Sequence, residues 1–290
     1  MSRIRNRERR IGIFLILPCL LFVLAFVMYP LFRNIFLSFH AYNPLHSLET
    51  IFVGLDNYRW LTTEPLFLNS LYVTVLFTVV SVIFEMFIGF FVALFLVRMK
   101  DILSKWVSRF LTSIFIIPWV VPGISAAVAW RMLYHPTFGP INAMLGKNIM
   151  WLSNSSLSLF SIVIADVWKC TPFFIFIFFA GMMSVPIEQF EAARTDGASM
   201  WHEFRYIMLP SILPLMLVAS AFRAIDAFTK IFDLVYVLTG GGPGTATEVL
   251  PLLIYKTGLK YFRFGTASTL AVVAILISLV FGMGLLKRQR

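Results

Sequence analysis

The sequence predicts an all-α membrane protein of six transmembrane helices with both termini cytoplasmic, and three observations lead there. The chain is 59% hydrophobic and only 13% charged, with a mean hydropathy of +0.86. That is too apolar for a soluble globule of 290 residues. Nearly uncharged runs long enough to cross about 30 Å of hydrocarbon recur along the chain. Lys and Arg are also divided very unequally between the two sets of segments that join those runs.

The first run, 11–37, follows Arg3, Arg5, Arg7, Arg9 and Arg10. It is longer than a signal-peptide core and has no small-x-small cleavage site before Tyr42, so it is read as an uncleaved span containing Pro18. The second, 68–97, carries Thr74, Thr78, Ser81 and Glu85 at helical spacing. The third, 108–132, holds Pro118 and Pro122, which predict a kink, and has Arg131 near its outer end. The fourth, 157–181, places Asp166 and Lys169 three residues apart, with Trp168 and Phe173 nearby and Pro172 between. The fifth, 211–238, carries Arg223, Asp226, Lys230 and Asp233 within about a quarter of a helix circumference. The sixth is 265–286.

The outer segments, roughly 38–67, 133–156 and 239–264, are too short to bury cores of their own. Residues 1–290 therefore read as one transmembrane domain without an internal repeat. Thr239 to Thr247, with Gly240-Gly241-Gly242-Pro243-Gly244, reads as a loop at the outer mouth. It either turns the chain or reaches into an external protein.

Fourteen Lys and Arg flank the spans on the side of the termini and five lie opposite, which makes the termini and the 184–210 loop cytoplasmic. This asymmetry accounts for the net charge of +10 and leaves no basic surface that calls for nucleic acid. Cys19 and Cys170 fall inside spans and read as small apolar residues. His40, His46, His135 and His202 lack metal spacing. Gly139 to Lys147 fails as a phosphate loop, since Ile141 stands where its first glycine belongs and Asn148 follows Lys147. No catalytic constellation, metal or cofactor is expected. A transporter built on this chain takes ATP through another polypeptide.

The polar run inside the apolar chain is Glu191-Ala192-Ala193-Arg194-Thr195-Asp196-Gly197-Ala198, continuing to Pro210. Pro186 suits a helix start, Gly197 a helix end with positive φ, and a second helix is expected from near Ser199 to Leu209. Ala192 and Ala193 allow close approach by a partner, and Glu191 offers a fixed charge. The pattern E-A-A-x-x-D-G-A-x(8)-I-x-L-P resembles the cytoplasmic loop of binding-protein-dependent ABC importer permeases of the maltose and glycerol-phosphate type. That resemblance implies type I importer architecture, with this loop as the coupling element through Glu191, Ala192, Ala193, Asp196, Gly197 and Ala198. It also implies a bacterial or archaeal plasma membrane location and three partners: a second permease subunit, an ATPase dimer and an extracytoplasmic solute-binding protein.

Gly54-Leu55-Asp56-Asn57-Tyr58, Asp166-Val167-Trp168-Lys169 with Thr171-Pro172-Phe173, and Arg223-Ala224-Ile225-Asp226-Ala227-Phe228 with Phe232 to Pro243 are similar to the carbohydrate members, specifically the maltose-F-like subunit. In the maltose-type member sugar contacts come from the third, fourth and fifth core spans. The resemblance and the intramembrane charges together nominate Glu85, Arg131, Trp168, Lys169, Phe173, Arg223, Asp226 and Lys230 for the substrate pathway. Their signs balance, with Arg131, Lys169, Arg223 and Lys230 against Glu85, Asp166, Asp226 and Asp233. Balance fits a neutral sugar or polyol, and equally fits interhelical ion pairs that touch no solute. The alternative function is a stand-alone ion-coupled sugar carrier using Asp226 or Glu85 as a proton site.

Overall fold

A computed structural model describes residues 2–99, 102 and 104–287. Lys100, Arg288 and Arg290, counted above among the cytoplasmic charges, lie outside the described residues. In chain order come α1 (Ser2–Val23), a π turn (Leu24–Met28), α2 (Tyr29–Ser38), the strands β1 (His40–Asn43) and β2 (Ser47–Phe52), α3 (Asp56–Thr63) and α4 (Pro65–Met99). Then follow α5 (Lys105–Val120), α6 (Gly123–Leu133), α7 (Pro140–Leu145), α8 (Ser155–Met183), α9 (Ile187–Thr195) and α10 (Met200–His202). A second π turn (Glu203–Met208) leads into α11 (Leu209–Lys230), α12 (Phe232–Leu238), α13 (Leu250–Tyr255), a third π turn (Lys256–Lys260) and α14 (Phe264–Lys287).

Four stretches are long and apolar enough to cross a membrane: Ile13–Ser38, Pro65–Met99, Ser155–Met183 and Met200–Lys230. The expected third span is broken, its halves Phe110–Val120 and Gly123–Leu133 meeting at 96°. Pro122 lacks an N–H to continue the α5 ladder and instead caps α6, so the kink read from the prolines is a full break. The expected sixth span falls on α14. Pro172, by contrast, lies inside an unbroken α8. The fifth span departs from expectation twice. It ends at Lys230, with α12 starting after Ile231, and the helix expected to stop at Leu209 runs on. Pro210 sits in the first turn of α11, where its missing N–H costs nothing, and the π turn before it bonds Leu209 N–H to the Phe204 carbonyl.

By its contacts the chain divides into two compact units, 1–64 with 254–273, and 65–253 with 274–290. In the first, β1 and β2 form an antiparallel hairpin bulged between Ala41 and Asn43, an element the all-helical expectation omitted. The Gly54 to Tyr58 run ties this hairpin to α2. Gly54 takes φ +57°, Asn57 Nδ2 donates to the Ser38 and His40 carbonyls at 3.0 and 3.1 Å, and Tyr58 Oη meets Ser38 Oγ at 2.8 Å.

In the second unit α4 packs along α8, and α11 lies against both. The inward face of α4 is polar and buried: Ser70, Thr74, Ser81 and Glu85 have no exposure. Helices approach through glycine, as polar-poor membrane bundles do. A Cβ on Gly89 would fall 2.5 Å from Phe174 Cβ and 3.2 Å from the Ile175 nitrogen, and one on Gly181 would fall 2.7 Å from Leu215. Gly89→Ala should therefore cost about 1–3 kcal/mol by overpacking, and Gly89→Leu should force α4 and α8 apart. The check is a lower melting temperature in detergent for Ala and loss of monodisperse protein for Leu.

On the outer side of this unit the glycine-rich segment is a turn, pinned by Thr239 Oγ1 to Thr247 Oγ1 at 2.7 Å and by Thr247 Oγ1 to the Gly242 carbonyl at 2.7 Å. Asn69 Nδ2 bonds the Thr245 carbonyl and Thr74 Oγ1 receives the Leu250 N–H, fastening the turn to α4.

Candidate functional site

Arg223 stands one side chain deep in the bundle and joins α4, α8 and α11. Its Nε and Nη2 grip the Glu85 carboxylate side-on at 2.8 and 2.9 Å, while Nη2 also donates to Asp166 Oδ2 at 2.6 Å. Its Nη1 reaches Asp226 Oδ2 at 3.4 Å, and the other Asp226 oxygen pairs with Lys230 Nζ at 2.7 Å. The chain grades from a fully buried Glu85 to a Lys230 side chain that is 74% exposed. Planar, five-donor guanidinium suits this bidentate and bridging role where lysine would not. Glu85, Asp166 and Cys170 bring potential ligand atoms within 4.8 Å of one another, but Arg223 already fills the place a cation would take.

Beside this network lies a cavity of about 380 Å³, within the range of small-molecule sites. Lys169, Asp226, Lys230 and Asp233 supply polar groups to its wall, and Trp119, Phe173 and Phe222 supply rings. Phe173 and Phe222 stack with centroids 5.7 Å apart. Asp233 sits over the first residue of α6, its Oδ2 2.7 Å from where a Gly123 Cβ would be. Lys169 forms no ion pair among the described residues.

Of the pathway residues nominated from sequence, Lys169, Phe173, Arg223, Asp226 and Lys230 converge on this cavity. Glu85 lies behind it, paired to Arg223. Trp168 is not in its wall and packs edge-on to Trp130 at 5.9 Å. Arg131 is exposed on α6, with Nη1 3.4 Å from the Val237 carbonyl. Sequence reasoning missed Trp119, Phe222 and Gly123. The break at Pro122 brings the first and last of these beside the charges, and a straight third span would not have.

The cytoplasmic loop is built from one short helix, α9, and the start of the continuous stretch that runs from Met200 through the π turn into α11. Pro186 caps α9. At its other end Ala198 N–H bonds the Ala193 carbonyl and Gly197 N–H the Arg194 carbonyl, at 2.9 and 3.0 Å, with Gly197 at φ +79°. That is a Schellman closure, and it explains the D-G-A sequence. Glu191, Ala192, Asp196 and Gly197 are exposed, and Ala193 and Ala198 are half-buried. Across the turn Arg194 clasps Glu203 through Nε at 2.7 Å and Nη2 at 3.2 Å. This bond holds the Arg194 guanidinium above its ordinary pKa. The clasp was not read from the sequence, because nine residues are no helical spacing and only the intervening turn brings the two together.

An intramembrane ion-pair core, a polar and aromatic cavity beside it, and an exposed helical loop on the cytoplasmic side define a multi-span solute permease subunit. The chain belongs to the family of binding-protein-dependent transport system inner membrane components, whose profile matches residues 85–288. It is a multi-pass protein of the inner membrane. It is 38% identical over 297 aligned residues to a trehalose/maltose transport system permease protein, MalF, of Thermococcus litoralis, covering 100% of this chain and 97% of that one. It is 34% identical to the trehalose transport system permease protein SugA of Mycobacterium tuberculosis, over 93% and 85% of the two chains. Among solved structures, a bacterial ABC transporter involved in the import of the acidic polysaccharide alginate shares the fold. Its TM-score is 0.81 at 20% identity, over 98% of this chain and 97% of that one.

Proposed function

We propose that this subunit carries a neutral sugar of disaccharide size through the cavity beside Arg223, driven by ATP bound on a separate subunit. The observation that carries the reading is the make-up of the wall. Carboxylates and ammonium groups that bind hydroxyls alternate with Phe173, Phe222 and Trp119, whose faces suit the apolar face of a pyranose. The charges in the wall balance in sign, with Lys169, Arg223 and Lys230 against Asp166, Asp226 and Asp233, so they set no fixed selectivity for an anion or a cation. The relatives named for trehalose and maltose support the same class of solute.

The partners are a second permease subunit, a pair of ATPase subunits and an extracytoplasmic solute-binding protein. ATP-driven closure of the ATPase pair moves the exposed α9 face, Glu191 to Ala198. The Arg194–Glu203 clasp passes that movement to the base of α11, which carries Arg223, Asp226 and Lys230 at its far end. The cavity then opens to alternate sides. Under the carrier alternative the proton site is Asp226 or Glu85, yet both are engaged by Arg223.

The test is uptake of labelled trehalose into proteoliposomes holding the assembled complex and its binding protein. Uptake that needs ATP supports the proposal. Uptake driven by a proton gradient without ATP sinks it. In the same preparation Asp226→Asn should raise the apparent KM severalfold with normal assembly, because Arg223 keeps its shorter bonds to Glu85 and Asp166. Reduced assembly with unchanged transport per complex would return Asp226 to a scaffold role.

A further inference from the structure

We propose that Asp233 and Lys169 select the solute in the cavity beside Arg223, Asp233 accepting a hydrogen bond from one sugar hydroxyl and Lys169 donating one to another. The inference deepens the reading of that cavity as the solute's route and rests on it.

Six charged side chains among the described residues line the cavity, and four of them are already engaged. Asp166 is taken by Arg223 at 2.6 Å, and Asp226 lies between Arg223 at 3.4 Å and Lys230 at 2.7 Å. Lys169 and Asp233 remain. Neither forms an ion pair or a side-chain hydrogen bond among the described residues, and both are half-buried. A carboxylate and an ammonium inside a membrane bundle cost free energy unless something meets them. The Arg223 network ties three helices together, whereas the fold gains nothing from these two. The group that meets them is the solute. One unengaged cation and one unengaged anion suit a neutral polyol, whose hydroxyls both donate and accept. A charged solute would satisfy one of the pair and face a like charge at the other.

The backbone holds the Asp233 carboxylate at the cavity wall. The fifth span breaks after Lys230 and restarts as α12, with Asp233 in the first turn of the new helix. Opposite it the broken third span presents Gly123 as the first residue of α6. A Cβ on Gly123 would lie 2.7 Å from Asp233 Oδ2 and 3.1 Å from its Cβ, closer than van der Waals contact allows. Gly123 is not among the positive-φ glycines. What requires glycine here is therefore the space that the carboxylate occupies. Lys169 reaches the same cavity from α8.

The experiment measures uptake of trehalose, and of trehaloses lacking the same hydroxyl on both rings, in proteoliposomes holding the assembled complex and its binding protein. Removal from both rings matters, because turning the sugar end for end would otherwise restore the missing group. The binding protein is the same in every preparation, so a difference between wild type and variant belongs to the permease. Asp233→Ala should lower kcat/KM for trehalose about tenfold to a hundredfold, the span expected for a hydrogen bond to a charged group. It should also abolish the wild-type discrimination at one hydroxyl position, and Lys169→Met should do the same at another. Asp233→Asn, which keeps an acceptor oxygen, should recover part of the loss. Gly123→Ala should lower kcat/KM in the wild-type background and have no further effect on Asp233→Ala. The amount of assembled complex should stay unchanged throughout.

Identical discrimination in wild type and both alanine and methionine variants would overturn the proposal, as would loss of assembled complex in proportion to transport. Wild-type kcat/KM in the charge-swapped pair Lys169→Asp with Asp233→Lys would overturn it too, by making the two groups an ion pair of the transport cycle. ATP-dependent uptake that ignores every missing hydroxyl would end this inference and leave the proposed function standing. No uptake of any of the sugars by wild type would sink both.

Discussion

Arg223→Gln should destroy the folded bundle, with little or no monodisperse protein recovered and a steep fall in melting temperature. The reason is what the substitution leaves behind. Glu85 has no exposure and Asp166 has 5%, and their ligand atoms lie within 4.8 Å of each other. Without the guanidinium two buried carboxylates face one another, and breaking a buried pair by removing one partner costs about 3–5 kcal/mol. Arg223→Lys should rescue only in part, because an ammonium cannot hold Glu85 side-on and reach Asp166 at the same time.

The decisive companion is the triple variant Arg223→Gln, Glu85→Gln and Asp166→Asn. It removes the surplus negative charge and should regain much of the lost stability while transport stays impaired. Lys230→Ala, by contrast, changes a side chain that is 74% exposed and should leave assembly intact. If Arg223→Gln melted with the wild type, the network would be no keystone, and the intramembrane charges would have to be explained by solute contact alone.

These charges also show what was legible in the sequence. Hydropathy placed an apolar helix in each expected segment, since an apolar run is a local property, although the fifth is shifted to Met200–Lys230 and the sixth, Phe264–Val280, is shorter than the other spans. The turn that ends α9 was legible because Gly197 and the flanking helical residues encode a Schellman closure locally. The break at Pro122 was readable only as a kink, because whether a proline bends or breaks a helix depends on what receives the freed groups. Here Asp233 lies across the start of α6, from a helix more than a hundred residues later. The pairing of Arg223 with Glu85 and Asp166 was open between scaffold and pathway for the same reason. Periodicity gives the face of a helix and says nothing of which neighbour it meets. The β1–β2 hairpin was missed because its strands lie within an outer segment read only for its inability to form a core.

Gly197→Val should uncouple the transporter while leaving it folded. A Cβ at this position would meet nothing within 4 Å, so sterics with neighbours play no part. The whole effect comes from φ +79°, which a β-branched residue adopts only under strain of about 1–3 kcal/mol. The chain relieves that strain by abandoning the turn. The bonds from Ala198 to Ala193 and from Gly197 to Arg194 are then lost, and Arg194 is drawn away from Glu203. A loop so loosened still tethers α8 to α11, so insertion and melting should change little. Transport per ATP hydrolysed should fall about tenfold, the order expected when 1.4 kcal/mol of coupling is lost. Gly197→Asn should retain most transport, because asparagine tolerates the left-handed region. Glu191→Lys should be worse than Glu191→Ala, since Glu191 is exposed for a basic partner and the lysine adds repulsion. Full transport in Gly197→Val, measured with ATPase activity in the same proteoliposomes, would remove the loop from the coupling role. Equal losses in the Val and Asn variants would point to the missing side chain of glycine as the cause, with its φ irrelevant.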